Sequence, residues 1–186
     1  MNIVLASNSP RRKELMSGLG IPYTVRVLPD IQENYPAGLP ASEVAEYIAA
    51  EKAAAYVPTM ADDELVITAD TIVVLDDEIL GKPKDEDDAR RMLRELSGRT
   101  HHVITGVSMV TKKKSRRFSV TTEVTFKELT DAEIDHYVTK YHPLDKAGAY
   151  GVQEWIGYIG VTGLRGSYYN VMGFPIQRVY SELVNW

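Results

Sequence analysis

Six consecutive residues near the start of the chain, Ser7-Asn8-Ser9-Pro10-Arg11-Arg12, combine a helix-start signal with two guanidinium groups. Ser9 suits an N-cap and Pro10 the first helical position. The arginines therefore fall in a first turn, where N–H groups and the positive end of the helix dipole already favour an anion. Two cations at that end need something negative to compensate them. A phosphate chain does so, because arginine presents fixed bidentate donors to phosphate oxygens; solvent and surface carboxylates are the structural alternative.

Asp70 is the second chemical signal. It is a carboxylate inside the apolar run Leu65-Val66-Ile67-Thr68-Ala69-Asp70-Thr71-Ile72-Val73-Val74-Leu75, and a charge there is costly unless paired, hydrogen-bonded or metal-bound. Metal ligand and general base on a water are the two functional roles that suit it; a bulge or strand break capped by the carboxylate is the structural one. Lys52, at the margin of the buried face of a predicted helix, is a third candidate, although a lysine snorkelling to solvent has the same pattern and is the simpler reading of that position alone. Gly81-Lys82-Pro83 places a further lysine in a rigid turn, and Glu33 adds a second carboxylate in the loop before that helix.

Other chemistries find no support. There is no G-x-x-x-x-G-K-[ST] or G-x-G-x-x-G loop, no H-E-x-x-H pair and no G-x-S-x-G elbow. His101 and His102 are adjacent on a predicted strand, point to opposite faces and cannot chelate together. The absence of cysteine removes disulfides, thiol catalysis and thiolate-held metals. Lys112-Lys113-Lys114 reads as a solvated hairpin turn.

These residues need elements to hold them. Ile3 to Ala6 predicts a buried strand, Pro10 to Ser17 a helix, Val25 to Leu28 a strand, and Ser42 to Val57 an alanine-rich helix with Val44, Ile48 and Ala55 on one face. Leu65 to Leu75 is a strand interrupted at Asp70-Thr71, closed by the turn Asp76-Asp77. Asp85 to Leu96 is a helix with Ala89, Met92, Leu93 and Leu96 inward. Val103 to Val110 and Phe118 to Phe126 flank the lysine turn as strands. Thr130-Asp131-Ala132-Glu133 is a capping box for a helix reaching about Tyr141. Glycine-rich strand and turn follow, then a helix over about 175–183. Strands and helices mix without strict alternation, which predicts an α/β fold with a mixed twisted sheet flanked by helices.

With 186 residues, 44% hydrophobic and 25% charged, the chain predicts a single domain over 1–186 that folds without a metal or disulfide staple. A net charge of -5 argues against nucleic acid as a partner. No run approaches a membrane span and the N-terminal apolar stretch is too short for a signal peptide, so the cytoplasm is the expected location.

Taken together in order and spacing, several segments resemble the Maf nucleotide pyrophosphatases. They are Ala6 to Arg12, Ala69-Asp70-Thr71, Gly81-Lys82-Pro83, Leu96-Ser97-Gly98, Thr105-Gly106-Val107, Asp145 to Gln153 and Gly166 to Val171. The resemblance implies an elongated two-lobed fold with a central cleft, akin to inosine triphosphate pyrophosphatases, and a homodimer. It implies a small-molecule nucleoside triphosphate as substrate, Asp70 as catalytic carboxylate, Ser7, Arg11, Arg12, Lys52 and Lys82 on the phosphate chain, and Glu33 with Asp70 on a divalent cation, Mg²⁺ or Mn²⁺. Arg11, Thr71 and Gln153 match the subgroup that cleaves dTTP and UTP, where members preferring 7-methyl-GTP tend to carry tryptophan, glutamine and glutamate. Two departures stand out: His142-Pro143 replaces a common Glu-Pro, and Glu154-Trp155-Ile156-Gly157 follows Gln153 where glycine is usual. The expected reaction is metal-assisted attack of water on the α-phosphorus; a nucleotide-binding regulator linked to cell division, without turnover, is the alternative.

Overall fold

The computed structural model describes all 186 residues. Seven strands form one sheet in the order β2-β1-β3-β5-β6-β7, with β4 paired to β3. The strands are β1 (Asn2–Leu5), β2 (Thr24–Val25), β3 (Glu64–Leu75), β4 (Glu78–Leu80), β5 (Thr100–Val110), β6 (Ser115–Phe126) and β7 (Val161–Arg165). Around them lie α1 (Pro10–Gly18), α2 (Ala41–Tyr56), α3 (Glu86–Leu96), α4 (Asp131–Tyr141), α5 (Trp155–Gly160), α6 (Tyr168–Val171) and α7 (Ile176–Val184). The sheet is mixed: β1 runs parallel to β2 and β3, while β3/β4 and β6/β7 are antiparallel. No helix is long and apolar enough to cross a membrane.

The chain divides into two compact units. Met1–Thr71, Thr105–Val120 and Gly173–Trp186 form the first; Ile72–Ile104 and Thr121–Met172 form the second. In the first unit the period-2 alternation of strand side chains builds three layers. Leu5, Leu65, Ile67, Val107 and Met109 pack with Met16 of α1 and Ile176 and Val179 of α7. Val4, Val66 and Val110 point the other way, against Ala53 and Tyr56 of α2. A Cβ on Gly106 would land inside the α2 backbone at Ala45 and Glu46, so the lack of a side chain there lets the helix lie directly on β5. In the second unit α3 buries Ala89, Met92, Leu93 and Leu96 as expected, and Ile134, Tyr137 and Val138 form the buried face of α4.

Local signals hold at several ends. Ser9 caps α1 through Arg12 N–H with Pro10 as its first residue. The Thr130–Glu133 capping box is formed on both sides. Other expectations are corrected. Strand β3 runs unbroken through Asp70 and Thr71, because its apolar, β-branched run continues on both sides of the carboxylate. Strand β2 stops at Val25; the Arg26 N–H makes a last bond to the Leu5 carbonyl, and beyond it the Leu28 N–H bonds the Tyr56 hydroxyl, so the ladder gives way to a side-chain partner. On α2 the buried stripe is Val44, Ala45, Ile48, Ala49, Ala53 and Tyr56, with Ala55 exposed. The glycine-rich stretch after Tyr150 contains α5 and α6, each with polar or small residues whose packing decides their conformation.

Candidate functional site

In the first unit, the same alternation that builds the layers sorts the polar residues of β3. Val66, Thr68 and Asp70 face α2, where the Thr68 hydroxyl donates to the Ala49 carbonyl at 2.6 Å. Asp70 then meets Lys52, one turn further along the helix. Thr71, on the opposite face, meets Arg12 of α1. A one-residue step along one strand thus delivers a carboxylate to one helix and a hydroxyl to another.

Lys52 is the hub on the α2 side. Its Nζ is 2.9 Å from Asp70 Oδ1 and 2.8 Å from Glu33 Oε1, and it donates to the Ala69 carbonyl at 3.4 Å. The Asp70 side chain is only 12% exposed, Lys52 15% and Glu33 51%. Burial pushes the Asp70 carboxyl above its ordinary value; Lys52 pulls it down, Glu33 adds to the rise and Arg12 opposes it. The net direction is upward, which leaves Asp70 a stronger base than a surface aspartate.

Arg12 is fixed on the α1 side. Its Nε donates to the Gly173 carbonyl at 2.8 Å, one terminal nitrogen to the Ala69 carbonyl at 3.2 Å, and the other to Thr71 Oγ1 at 3.0 Å. Thr71 Oγ1 also lies 2.9 Å from Thr105 Oγ1 and 3.2 Å from the Gly173 carbonyl oxygen. Burial lowers the guanidinium's pKa and Arg11 lowers it further, while Asp70 and Glu33 raise it. The two arginines of the first turn therefore differ: Arg12 is built into the framework, held beside the two acids. Ser7, buried at the end of β1, accepts from the Ser9 N–H at 3.2 Å, which leaves its own O–H as a donor.

Lys82 and Gln153 lie in the second unit. Lys82 is exposed, in a turn whose Gly81 carbonyl accepts from Gly148 N–H at 3.1 Å. Gly148 has a left-handed φ of 67° and a Cβ there would stand 2.9 Å from Val73 Cγ2, so the turn is closed by a residue without a side chain. The Gln153 amide oxygen is buried without a hydrogen-bond partner. Glu154 turns inward, accepting from the Tyr137 hydroxyl at 2.8 Å and lying 3.6 Å from Lys146 Nζ. Trp155 packs edge-on against His136 of α4, ring centres 4.6 Å apart. The insertion-like Glu154-Trp155 pair is thus anchored on α4 and the Asp145-Lys146 segment.

A buried carboxylate paired with a lysine, a second acid, and arginines at a helix start is an arrangement for anionic substrates, and the family model described as Maf-like protein matches residues 2–186. The chain belongs to the Maf family. A relative from Phocaeicola vulgatus, a dTTP/UTP pyrophosphatase, is 65% identical over 181 residues, covering 97% of this chain and 94% of its own. The dTTP/UTP pyrophosphatase of Bacteroides thetaiotaomicron is 59% identical over the same shares. Among solved structures, the Ham1 protein of Staphylococcus aureus matches with a TM-score of 0.59 at 20% identity, covering 100% of this chain and 99% of that one. The HAM1 protein of Coxiella burnetii matches at 0.55 and 15%, over the full length of both. At such identities the likeness is one of fold.

Within this Maf-family chain, Asp70 and Glu33, the two carboxylates expected on a divalent cation, are both drawn to the Lys52 ammonium. No group of three or more His, Cys, Asp or Glu side chains is assembled. Two carboxylates fit a hard cation that takes its remaining ligands from phosphate oxygens and water, the usual habit of Mg²⁺. The sequence reading missed the role of Thr105, whose side chain carries no charge and no motif chemistry; only its place in the recurring Thr105-Gly106-Val107 segment marked it. It also missed the Gly173 and Ala69 carbonyls, which no side-chain pattern can reveal.

Proposed function

We propose that this chain hydrolyses dTTP and UTP to their monophosphates and pyrophosphate. Its relatives at 65% and 59% identity over nearly the whole chain bear the name dTTP/UTP pyrophosphatase. The observation that carries the chemistry is Asp70: a carboxylate held in the interior of a continuous strand, with its pKa raised by burial and its charge answered by Lys52. Nothing in the fold of β3 requires an acid there, and a carboxylate beside phosphates repels them unless it handles water or a cation.

Asp70 accepts a proton from the attacking water. The water oxygen bonds to the α-phosphorus as the bond from that phosphorus to the bridging oxygen breaks, and the electron pair leaves with pyrophosphate. Mg²⁺ or Mn²⁺ held by Asp70, Glu33 and phosphate oxygens would supply charge neutralisation and a more acidic water. Arg11, the Ser7 hydroxyl and the N-terminus of α1 bind the phosphate chain, and Lys52 follows the charge that develops on the leaving group. Arg12 steadies Thr71 and the Ala69 carbonyl next to the base. On the family resemblance, Lys82 is a further phosphate contact and Gln153 a base-reading residue. A buried amide oxygen without a partner fits the imide N–H that uracil and thymine carry and cytosine lacks. A homodimer in the cytoplasm completes the reading, with sedimentation velocity as its check.

The test is release of monophosphate and pyrophosphate from dTTP, UTP, CTP, ATP, GTP and 7-methyl-GTP, with Mg²⁺, Mn²⁺ or chelator, by wild type and Asp70→Asn. Metal-dependent release from dTTP and UTP, lost in the variant, is expected. Tight nucleotide binding without release would replace the enzyme by a regulator.

A further inference from the structure

Lys52 does more in this structure than a phosphate contact requires. Glu33, Asp70 and the Ala69 carbonyl take all three N–H donors of its ammonium. Those two carboxylates are the pair assigned to the divalent cation, and the ammonium stands between them. We propose that Lys52 is a built-in placeholder for that cation: its ammonium holds Asp70 and Glu33 together in the nucleotide-free protein and must move to a phosphate oxygen before the cation can take both acids. The inference rests on the reading that Asp70 and Glu33 hold the metal.

Burial and charge support it. Asp70 is almost enclosed, and without a partner its charge would stand uncompensated in the interior. Lys52 removes that difficulty and keeps Glu33, half-exposed on its loop, drawn in toward the strand. A dication entering while Lys52 stayed in place would set three positive groups, with the Arg12 guanidinium, around two carboxylates. One of them must leave. Arg12 cannot, since three hydrogen bonds fix its fork to Gly173, Ala69 and Thr71. Lys52 can, because it is a point charge on a flexible four-carbon stem held only at its tip. The incoming triphosphate gives it a destination, so nucleotide and metal should bind cooperatively, each raising the other's affinity by the same factor.

Binding of Mn²⁺ alone, followed by electron paramagnetic resonance of the free ion, tests this on the full-length protein without any turnover. Wild type, Lys52→Gln and Lys52→Arg are each titrated with and without α,β-methylene-dTTP, with Mn²⁺ held by the free analogue subtracted. Lys52→Gln is expected to bind Mn²⁺ about tenfold or more tightly than wild type in the absence of nucleotide, an ordinary coupling between two competing groups. Lys52→Arg, which keeps the charge, is expected to stay near wild type. Mn²⁺ affinity in Lys52→Gln no higher than in wild type overturns the proposal while leaving the metal site standing. Should that variant not fold, the wild-type cycle decides: equal Mn²⁺ affinity with and without the analogue overturns the placeholder. No Mn²⁺ binding by any form, even with the analogue, removes the metal reading itself and the placeholder with it.

Discussion

Asp70 and Arg12 show how differently two charged residues can serve one site. The fold raises the Asp70 pKa, so the ionised form that the proposed catalysis needs is the form folding disfavours. Stability from this group therefore grows as pH falls toward its titration range and is absent at neutral pH. Asp70→Asn should lower turnover by about a thousandfold or more while leaving the melting temperature unchanged or a few degrees higher, at roughly 2–4 °C per kcal/mol for a chain of this size. A calorimetric scan beside a turnover assay checks it, and a large drop in melting temperature would mean that the carboxylate is structural. For Arg12 the expectation is a different split. Lysine keeps the charge but cannot reproduce a fork that meets Gly173, Ala69 and Thr71 at once. Arg12→Lys should depress kcat by about 10–100-fold, in the range expected when a positioning contact near the chemistry is lost, with KM and inhibition by pyrophosphate changed little. A KM that rises while kcat holds would assign Arg12 to the phosphate chain instead. Asp70 was legible as a residue type out of place, whereas Lys52 and Glu33 drew notice chiefly through the family resemblance; the bonding of Arg12 was not legible, because its partners are mostly backbone carbonyls contributed by distant segments.

At the level of elements, the position of Lys52 depends on how closely α2 lies on the sheet. That distance is set by Gly106, where a methyl group would meet the backbone of Ala45 and Glu46, atoms that no rotamer change can move. Gly106→Ala should destabilise the protein by a few kcal/mol through overpacking. It should also lower activity in the fraction that folds, since a shifted α2 parts Lys52 from Asp70. Chemical denaturation with a parallel rate measurement gives both numbers; near-wild-type stability would show that α2 is not held by this contact. The helix was legible from its periodicity and the strand from its apolar run. That a glycine in β5 sets the gap between layers was not, since close approach is a property of two segments that sequence spacing does not join.

Across the whole molecule, His101 ties stability to pH. It is fully buried, its ring packed near Phe126 and Tyr150, with Nε2 2.5 Å from the Tyr150 hydroxyl. Burial raises the tyrosine's pKa, so the hydroxyl keeps its proton and shares a hydrogen bond with the neutral imidazole. The imidazole pKa is lowered to about 4, chiefly by burial and further by His102. A base whose folded pKa lies below its ordinary 6.5 takes up its proton first in the unfolded chain. Its contribution is intact above about pH 6.5 and lost as pH falls from there to about 4, on the order of 3 kcal/mol in all. Unfolding free energies at pH 7.5, 6 and 4.5 should fall accordingly, and His101→Phe should flatten that slope. An unchanged slope in the variant would move the effect to other groups.

The amino-acid sequence by itself determined which chemistry is available: an acid stranded in an apolar run, arginines at a capped helix start, no thiol and no chelating histidines. Those are local facts, since burial cost, capping and periodicity act over a few neighbouring residues. It also determined most of the elements. Only the tertiary structure decided that Asp70 and Glu33 share one ammonium, that Arg12 is locked to Gly173 across most of the chain length, and that β3 passes unbroken through its acid. These depend on groups far apart in sequence meeting at hydrogen-bond distance, where partners, not residue type, decide whether a charge is tolerated.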